Sequence, residues 1–229
     1  MIGIIGAMES EVDGLKAAVE GLKVTSHAGI EFYQGTLFGT EVVIARSGIG
    51  KVNAALCTQN MIYLFSPRLI INTGCAAGVG KGIQIGDIVL ADTAVQHDLE
   101  YGPLGTERGY LDRVGAVHIP ADKKATQTIS EIAESLGIHT RVGVVATGDQ
   151  FLCDPVKKAE IRDYFDAQAV EMEGGAIAHA AYQNGVPFVI LRSISDNGDD
   201  TAAVEFESFV KQVNQKNMQI LKIFLEREQ

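Results

Sequence analysis

Two hydrophobic patterns take turns along this chain. Short, almost continuously apolar runs at 2–7, 68–73, 87–95, 141–147, 169–172 and 187–194 are rich in Ile and Val and have the length of strands buried on both faces. Between them, apolar residues recur at helical spacing and predict helices at 9–20, 51–65, 121–136, 155–165, 174–184 and 204–226. Val12, Leu15 and Val19 mark the inward face of the first. Two further β-rich runs, 31–38 and 41–46, are joined by Gly39-Thr40 and read as a hairpin. Strands alternating with helices imply crossover connections, so the expected class is α/β: a mixed, mainly parallel central sheet flanked by helices. No compositional break or internal repeat divides the chain, which predicts one domain over 1–229.

Composition narrows the partners. The 229 residues are 46% hydrophobic and 21% charged, enough apolar surface to offset chain entropy and exclude disorder. A formal charge of −10 repels phosphate backbones and anionic lipid, so neither nucleic acid nor a membrane surface is an expected partner. Cys57, Cys75 and Cys153 are odd in number and lack paired spacing, which points to a reducing, cytoplasmic setting. The apolar N-terminal run meets Glu9 and Glu11 at once, unlike a signal peptide, and no stretch reaches the ~20 apolar residues of a membrane span.

Several familiar chemistries find no support. Gly50-Lys51 fails the phosphate-loop spacing because Ala45 and Val52 stand where glycine and Ser/Thr are needed, and residues 2–6 lack the dinucleotide fingerprint. Five scattered histidines form no ligand pairs, so no metal and no cofactor are expected. His97-Asp98 invites a catalytic dyad, but chain neighbours point apart in a strand, and a solvated or structural histidine is the plainer reading. Cys75 follows a strand without a nearby base and reads as a small pocket-lining thiol.

Carboxylates at strand ends carry the stronger signal. Glu9 and Glu11 follow the first strand, Glu171 and Glu173 flank Met172, and Asp196 ends the run RSISD. Helix capping accounts for Glu9 and Asp196 on the plain reading, but less well for Glu171 and Glu173, which share a strand face. Charges this close to apolar strands are costly unless paired or used, and Arg192 is placed to balance them. Convergent carboxylates suit a reaction that builds positive charge, such as glycosidic cleavage through an oxocarbenium-like state. Phe151 and Phe206 offer faces for a planar base, although most phenylalanines are simply core.

The segments GIIGAMESEV, SGIGKVNAA, INTGCAAG, GDIVLAD, TGDQF, AVEMEGGAIAH and PFVILRSISD, taken in order over nearly the whole chain, resemble the bacterial methylthioadenosine/S-adenosylhomocysteine nucleosidases of the nucleoside phosphorylase superfamily. That resemblance implies a nucleoside phosphorylase-like fold and hydrolysis of adenine nucleosides in methionine salvage. By the same resemblance Glu11 would activate water, Asp196 would protonate adenine at N7, and Glu173 would hold the ribose hydroxyls with Met172 packed on the sugar. Arg192 would orient Glu171 and Glu173, Ser195 would support Asp196, and Phe151 would stack on adenine beside the Leu152 backbone. Ile49 and Phe206 would line the sugar and 5′ side. Cys75 replaces a customary serine in the pocket, and Gly174-Gly175 replace larger residues. A homodimer is also implied, with loop 98–113 reaching the neighbour's site, where Tyr101, Leu104 and Thr106 depart from the usual pattern and bear on the 5′ substituent.

Three other readings stay open at this stage. A purine nucleoside phosphorylase would need cations around phosphate, yet the first loop presents Glu11, with Arg46 the basic residue ahead of the glycine turn. Hydrolysis of 6-amino-6-deoxyfutalosine would use the same acid and base. A non-catalytic nucleoside-binding protein would be expected to lose Glu11 or Asp196, and both are present.

Overall fold

A computed structural model of the chain describes residues 1–199 and 201–228. Ten strands, β1 (Ile2–Gly6), β2 (Glu20–His27), β3 (Ile30–Leu37), β4 (Thr40–Arg46), β5 (Ile70–Gly78), β6 (Ile88–Gln96), β7 (Ile119–Pro120), β8 (Thr140–Thr147), β9 (Ala167–Glu171) and β10 (Phe188–Asp196), form one mixed sheet. Six helices flank it: α1 (Glu9–Ala17), α2 (Lys51–Phe65), α3 (Lys123–Ser135), α4 (Pro155–Phe165), α5 (Gly174–Gln183) and α6 (Ala202–Arg227). Strand order runs β10-β6-β8-β9-β5-β1-β4-β3-β2, and a further pairing of β10 with β5 closes the first five strands into a ring. The longest ladders, β5 with β10 and β6 with β8, are parallel. A parallel pairing of β8 with β9 and antiparallel ones of β6 with β10 and β5 with β9 complete the ring, and antiparallel pairings build the outer meander.

Strand side chains alternate between two apolar layers, which is why the sequence shows no polar face. Ile5, Val43, Ile70 and Ile190 join Ala54, Cys57 and Met61 of α2 and Ile177 of α5 on one side. Their chain neighbours Ile4, Val42, Ile71 and Val189 meet Val12 of α1, Ile129 of α3 and Leu221 of α6 on the other. Burial of each such side chain contributes about 1.5–3 kcal/mol, so neither layer can be lost alone. The predicted hairpin is present as β3 and β4, turning through Phe38 and Gly39, both at positive φ (49° and 83°) as the tight turn between right-twisted strands requires.

Helix α1 stops at Ala17, short of the expected Glu20, and β2 was not anticipated at all. Every residue of β2 is exposed, so the strand is held by its ladder to β3 and not by burial, and leaves no hydrophobic period to read. Its entry depends on Gly35: a Cβ there would sit 2.4 Å from Val19 Cγ1 and 2.5 Å from the Glu20 carbonyl oxygen. Gly35→Ala must push backbone apart, and we expect it to cost about 1–3 kcal/mol. Thermal unfolding should show the loss as a fall in Tm, with the cleft described below unaffected because β2 lies at the far end of the sheet.

Candidate active site

Strand β5 changes neighbours part-way along its length. Its first residues pair with β1 as far as Asn72, and the same edge is taken up by β9 only from Ala77. The amide of Cys75 lies in this gap without a ladder partner, and donates instead to Glu11 Oε1 (3.1 Å). The other carboxylate oxygen of Glu11 accepts the amides of Ala7 (2.7 Å) and Met8 (3.0 Å) as the chain enters α1. Three backbone donors from two elements thus hold one buried carboxylate at the split.

Arg192 approaches from the opposite edge of β5, where it lies beside Gly74 in register. A Cβ on Gly74 would stand 2.5 Å from both Arg192 Nη1 and Glu11 Oε1, so only glycine lets both charged groups come together over the strand. The guanidinium is 1% exposed. It donates to the Cys75 carbonyl, to Asn72 Oδ1 and to Glu171 Oε2, and lies 3.6 Å from Glu173 Oε2. Glu171 also accepts from the Thr147 hydroxyl and from the amides of Glu173 and Gly174 at the start of α5. Glu173 accepts the Gly50 amide (2.9 Å), and burial together with the neighbouring Glu171 charge pushes its carboxyl up to about 7.

Asp196 closes the group at the end of β10. Burial raises its carboxyl above the usual range, opposed by bonds from the Ser195 hydroxyl (2.8 Å) and the Gly198 amide (2.9 Å). Phe151 and Phe206 meet edge to face with ring centroids 6.0 Å apart. Both line the cavity that contains these carboxylates, about 170 Å³ in volume, and Phe151 remains half exposed.

The twelve residues expected to act in catalysis or substrate binding all lie on the wall of this cavity, Ile49, Leu152, Met172 and Cys75 included. Cys75 is buried, and desolvation and then the Glu11 charge push its thiol up, the opposite of what a nucleophile needs. Sequence reasoning missed Ala7, Met8, Ala76, Ala77, Gln150 and Val170 in the lining and Thr147, Asn72 and Gly74 behind it. Only Gly74, a glycine within the strand run NTGCAAG, carried a signal that could have found it. Of the two plain readings of the histidine in His97-Asp98, solvated or structural, the fold takes the structural one: it is 4% exposed, and burial lowers its pKa. Nor do the two side chains pair, since Asp98 bonds to Lys51. Glu9, read as a capping residue, is exposed and bonds to Lys16 and Arg46. Among the described residues no group of three or more His, Cys, Asp or Glu is placed to hold a metal.

The family model of the phosphorylase superfamily matches residues 1–226. A 5′-methylthioadenosine/S-adenosylhomocysteine nucleosidase of Shewanella sp. (strain MR-7) is 40% identical over 230 residues, 99% of this chain and 96% of that protein. The chain belongs to the methylthioadenosine/S-adenosylhomocysteine nucleosidase family. Within the solved structures, the nucleosidase of Neisseria meningitidis in complex with methylthio-immucillin-A superposes with a TM-score of 0.95 at 34% identity, covering 99% of this chain and 98% of that one. A futalosine hydrolase mutant of Helicobacter pylori strain 26695 superposes with 0.93 at 32% identity, covering 100% and 99%. For a nucleosidase-family fold the flanking helices and mixed sheet are as the alternating pattern led us to expect.

The raised pKa of Glu173 makes stability depend on pH. Between about 4.5 and about 7 the unfolded chain ionises this carboxyl while the folded protein keeps it protonated, so stability falls as pH rises through that window. In Glu173→Gln that contribution is absent. Melting curves across the window should therefore fall less steeply for the variant than for the native protein.

Proposed function

We propose that the protein hydrolyses the N-glycosidic bond of 5′-methylthioadenosine and S-adenosylhomocysteine, releasing adenine and the 5-thioribose product. The observation that carries this reading is the pairing, on one cavity wall, of a buried aspartic acid with a raised pKa and an amide-held glutamate. Asp196, whose carboxyl burial shifts towards its protonated form, donates to adenine N7, which turns the base into a neutral leaving group. Positive charge then develops on the sugar, and the acidic cluster around it stabilises that charge. Water attacks C1′ as Glu11 accepts its proton. Glu173 takes the ribose hydroxyls, Met172 packs on the sugar, and Arg192 keeps Glu171 and Glu173 in place. Phe151 stacks on the purine, the Leu152 backbone reads its amino edge, and Ile49 with Phe206 borders the 5′ side.

Water is a better nucleophile here than phosphate. Arg192 is the one cation lining the cavity among the described residues, and Glu171 and Glu173 already occupy it. Arg46 is exposed and lies 3.3 Å from Glu9. Likeness to a structure called futalosine hydrolase supports a related purine nucleoside with a different 5′ group as a second substrate.

A homodimer completes the reading. Val52, Leu56 and Tyr63 form an exposed apolar stripe along α2, and Leu104 in the loop 98–113 is 80% exposed, away from its own chain's cavity. Such a surface suits a second copy whose loop, with Tyr101, Leu104 and Thr106, would wall the 5′ pocket. No helix among the described residues is long and apolar enough to cross a membrane, and the free cysteines Cys57, Cys75 and Cys153 agree with work in a reducing cytoplasm.

Asp196→Asn and Glu11→Gln should each lower adenine release from methylthioadenosine by at least ~10²-fold while nucleoside binding persists. Near-native turnover of either variant removes it from the mechanism, and a requirement for phosphate in the native protein would replace hydrolysis with phosphorolysis. Aminofutalosine assayed alongside ranks the second substrate. For assembly, Leu56→Asp should shift the native dimer to monomer in sedimentation, and a native monomer that is fully active would remove the shared-site reading.

A further inference from the structure

Two loops meet at the mouth of the cavity, and the carboxylate of Asp98 is bonded to both. The first, at 47–50, presents Ile49 to the cavity and donates the Gly50 amide to Glu173, the residue assigned to ribose. The second, at 148–151, presents Gln150 and Phe151, the purine side. Asp98 stands between them at the end of β6. Its Oδ1 bonds to Lys51 Nζ (2.5 Å) just after the ribose-side loop, and its Oδ2 accepts the Asp149 amide (2.8 Å) of the purine-side loop. Asp149 returns the link through Oδ1, which accepts the Lys51 amide (2.7 Å).

The neighbouring residue anchors the same junction from below. The His97 amide donates to the Thr147 carbonyl (2.9 Å), and the ring packs so tightly that a Cβ on Gly148 would lie 2.3 Å from its Nε2. Asp98 and Lys51 are both largely buried, with side chains 23% and 17% exposed. Burial pushes the Asp98 carboxyl up, but the Lys51 ammonium and the Asp149 amide outweigh it and hold the group below its usual range. A charge kept in this way, with its two oxygens on two different loops, is a brace and not a spare surface ion pair.

We propose that Asp98, with Lys51, is a positioning residue that couples capture of the purine to capture of the ribose. The inference rests on the nucleosidase reading, because the two loops are assigned to the two halves of that substrate. Order imposed on one loop by its ligand is passed through Lys51, Asp98 and Asp149 to the other, so each half of the substrate prepares the site for the other half. By linkage the effect is reciprocal. Cleavage needs both halves held at once, since the bond that breaks lies between them.

Adenine and 5-methylthioribose, the two products, probe the halves separately by calorimetry. In the native protein, saturating 5-methylthioribose should tighten adenine binding by about fivefold or more, within the usual range of coupling between sites. Asp98→Ala should reduce that factor to less than about twofold, and so should Lys51→Met, which leaves Asp98 in place but unpinned. The double variant should lose no more than either alone, because both remove one link. A lowered Tm with the native coupling factor intact would make Asp98 a purely structural residue and overturn the proposal, as would a native protein that shows no coupling. Failure of the native protein to bind either product would instead overturn the nucleosidase reading and this inference with it.

Discussion

Arg192, on a strand of the closed ring, has almost no contact with water, and a guanidinium in that position is tolerable only if its surroundings are arranged around it. Glu171 neutralises it with Glu173 3.6 Å away, Asn72 and the Cys75 carbonyl accept from its two Nη groups, and Gly74 yields the space it crosses. The same contacts fix the carboxylates. Glu171 cannot turn away from the cavity floor while it also accepts the Thr147 hydroxyl and two amides at the start of α5. Removing the cation would leave buried negative charge without a partner, so the ion cluster and the fold around it stand together.

The split in the sheet does the complementary work on the other side. A continuous β5 edge would have spent the Cys75 amide on a neighbouring strand, and Glu11 would have no fixed donor there. Because β1 leaves and β9 arrives with a gap between them, Glu11, in the first turn of α1 after β1, and Glu171, at the end of β9, reach the same cavity from two strands that flank one edge of β5. This is the usual place for a ligand in an α/β sheet, beyond strand ends where neighbouring connections diverge. The resulting surplus of negative charge, with one cation engaged and Glu173 and Asp196 pushed towards their protonated forms, suits a sugar that becomes positive only as its bond breaks.

Much of this was legible in the chain. Runs such as residues 68–73 and 187–194 are apolar at successive positions because alternate side chains enter two separate layers, and that pattern is enough to call buried strands between helices. The carboxylates stood out for the opposite reason, as charges beside apolar strands. Strand β2 left no trace, since its ladder to β3 needs backbone groups alone and its side chains stay in water. His97 was equally opaque: nothing local distinguishes a loop histidine in solvent from one packed beneath Gly148.

Local chemistry by itself determined which segments form strands and helices, which ends carry acid groups, and through the ordered motifs which family they resemble. The tertiary structure decided what those groups are to one another. Glu11 and Cys75 are far apart in the chain and bonded in the fold, and the lowered pKa of Asp98 and the raised ones of Glu173 and Asp196 come from burial and from neighbours supplied by other elements. Desolvation and Coulomb energy depend on distance in space, whereas periodicity and turn chemistry depend on distance along the chain. A sequence records the second directly and the first only after it has folded.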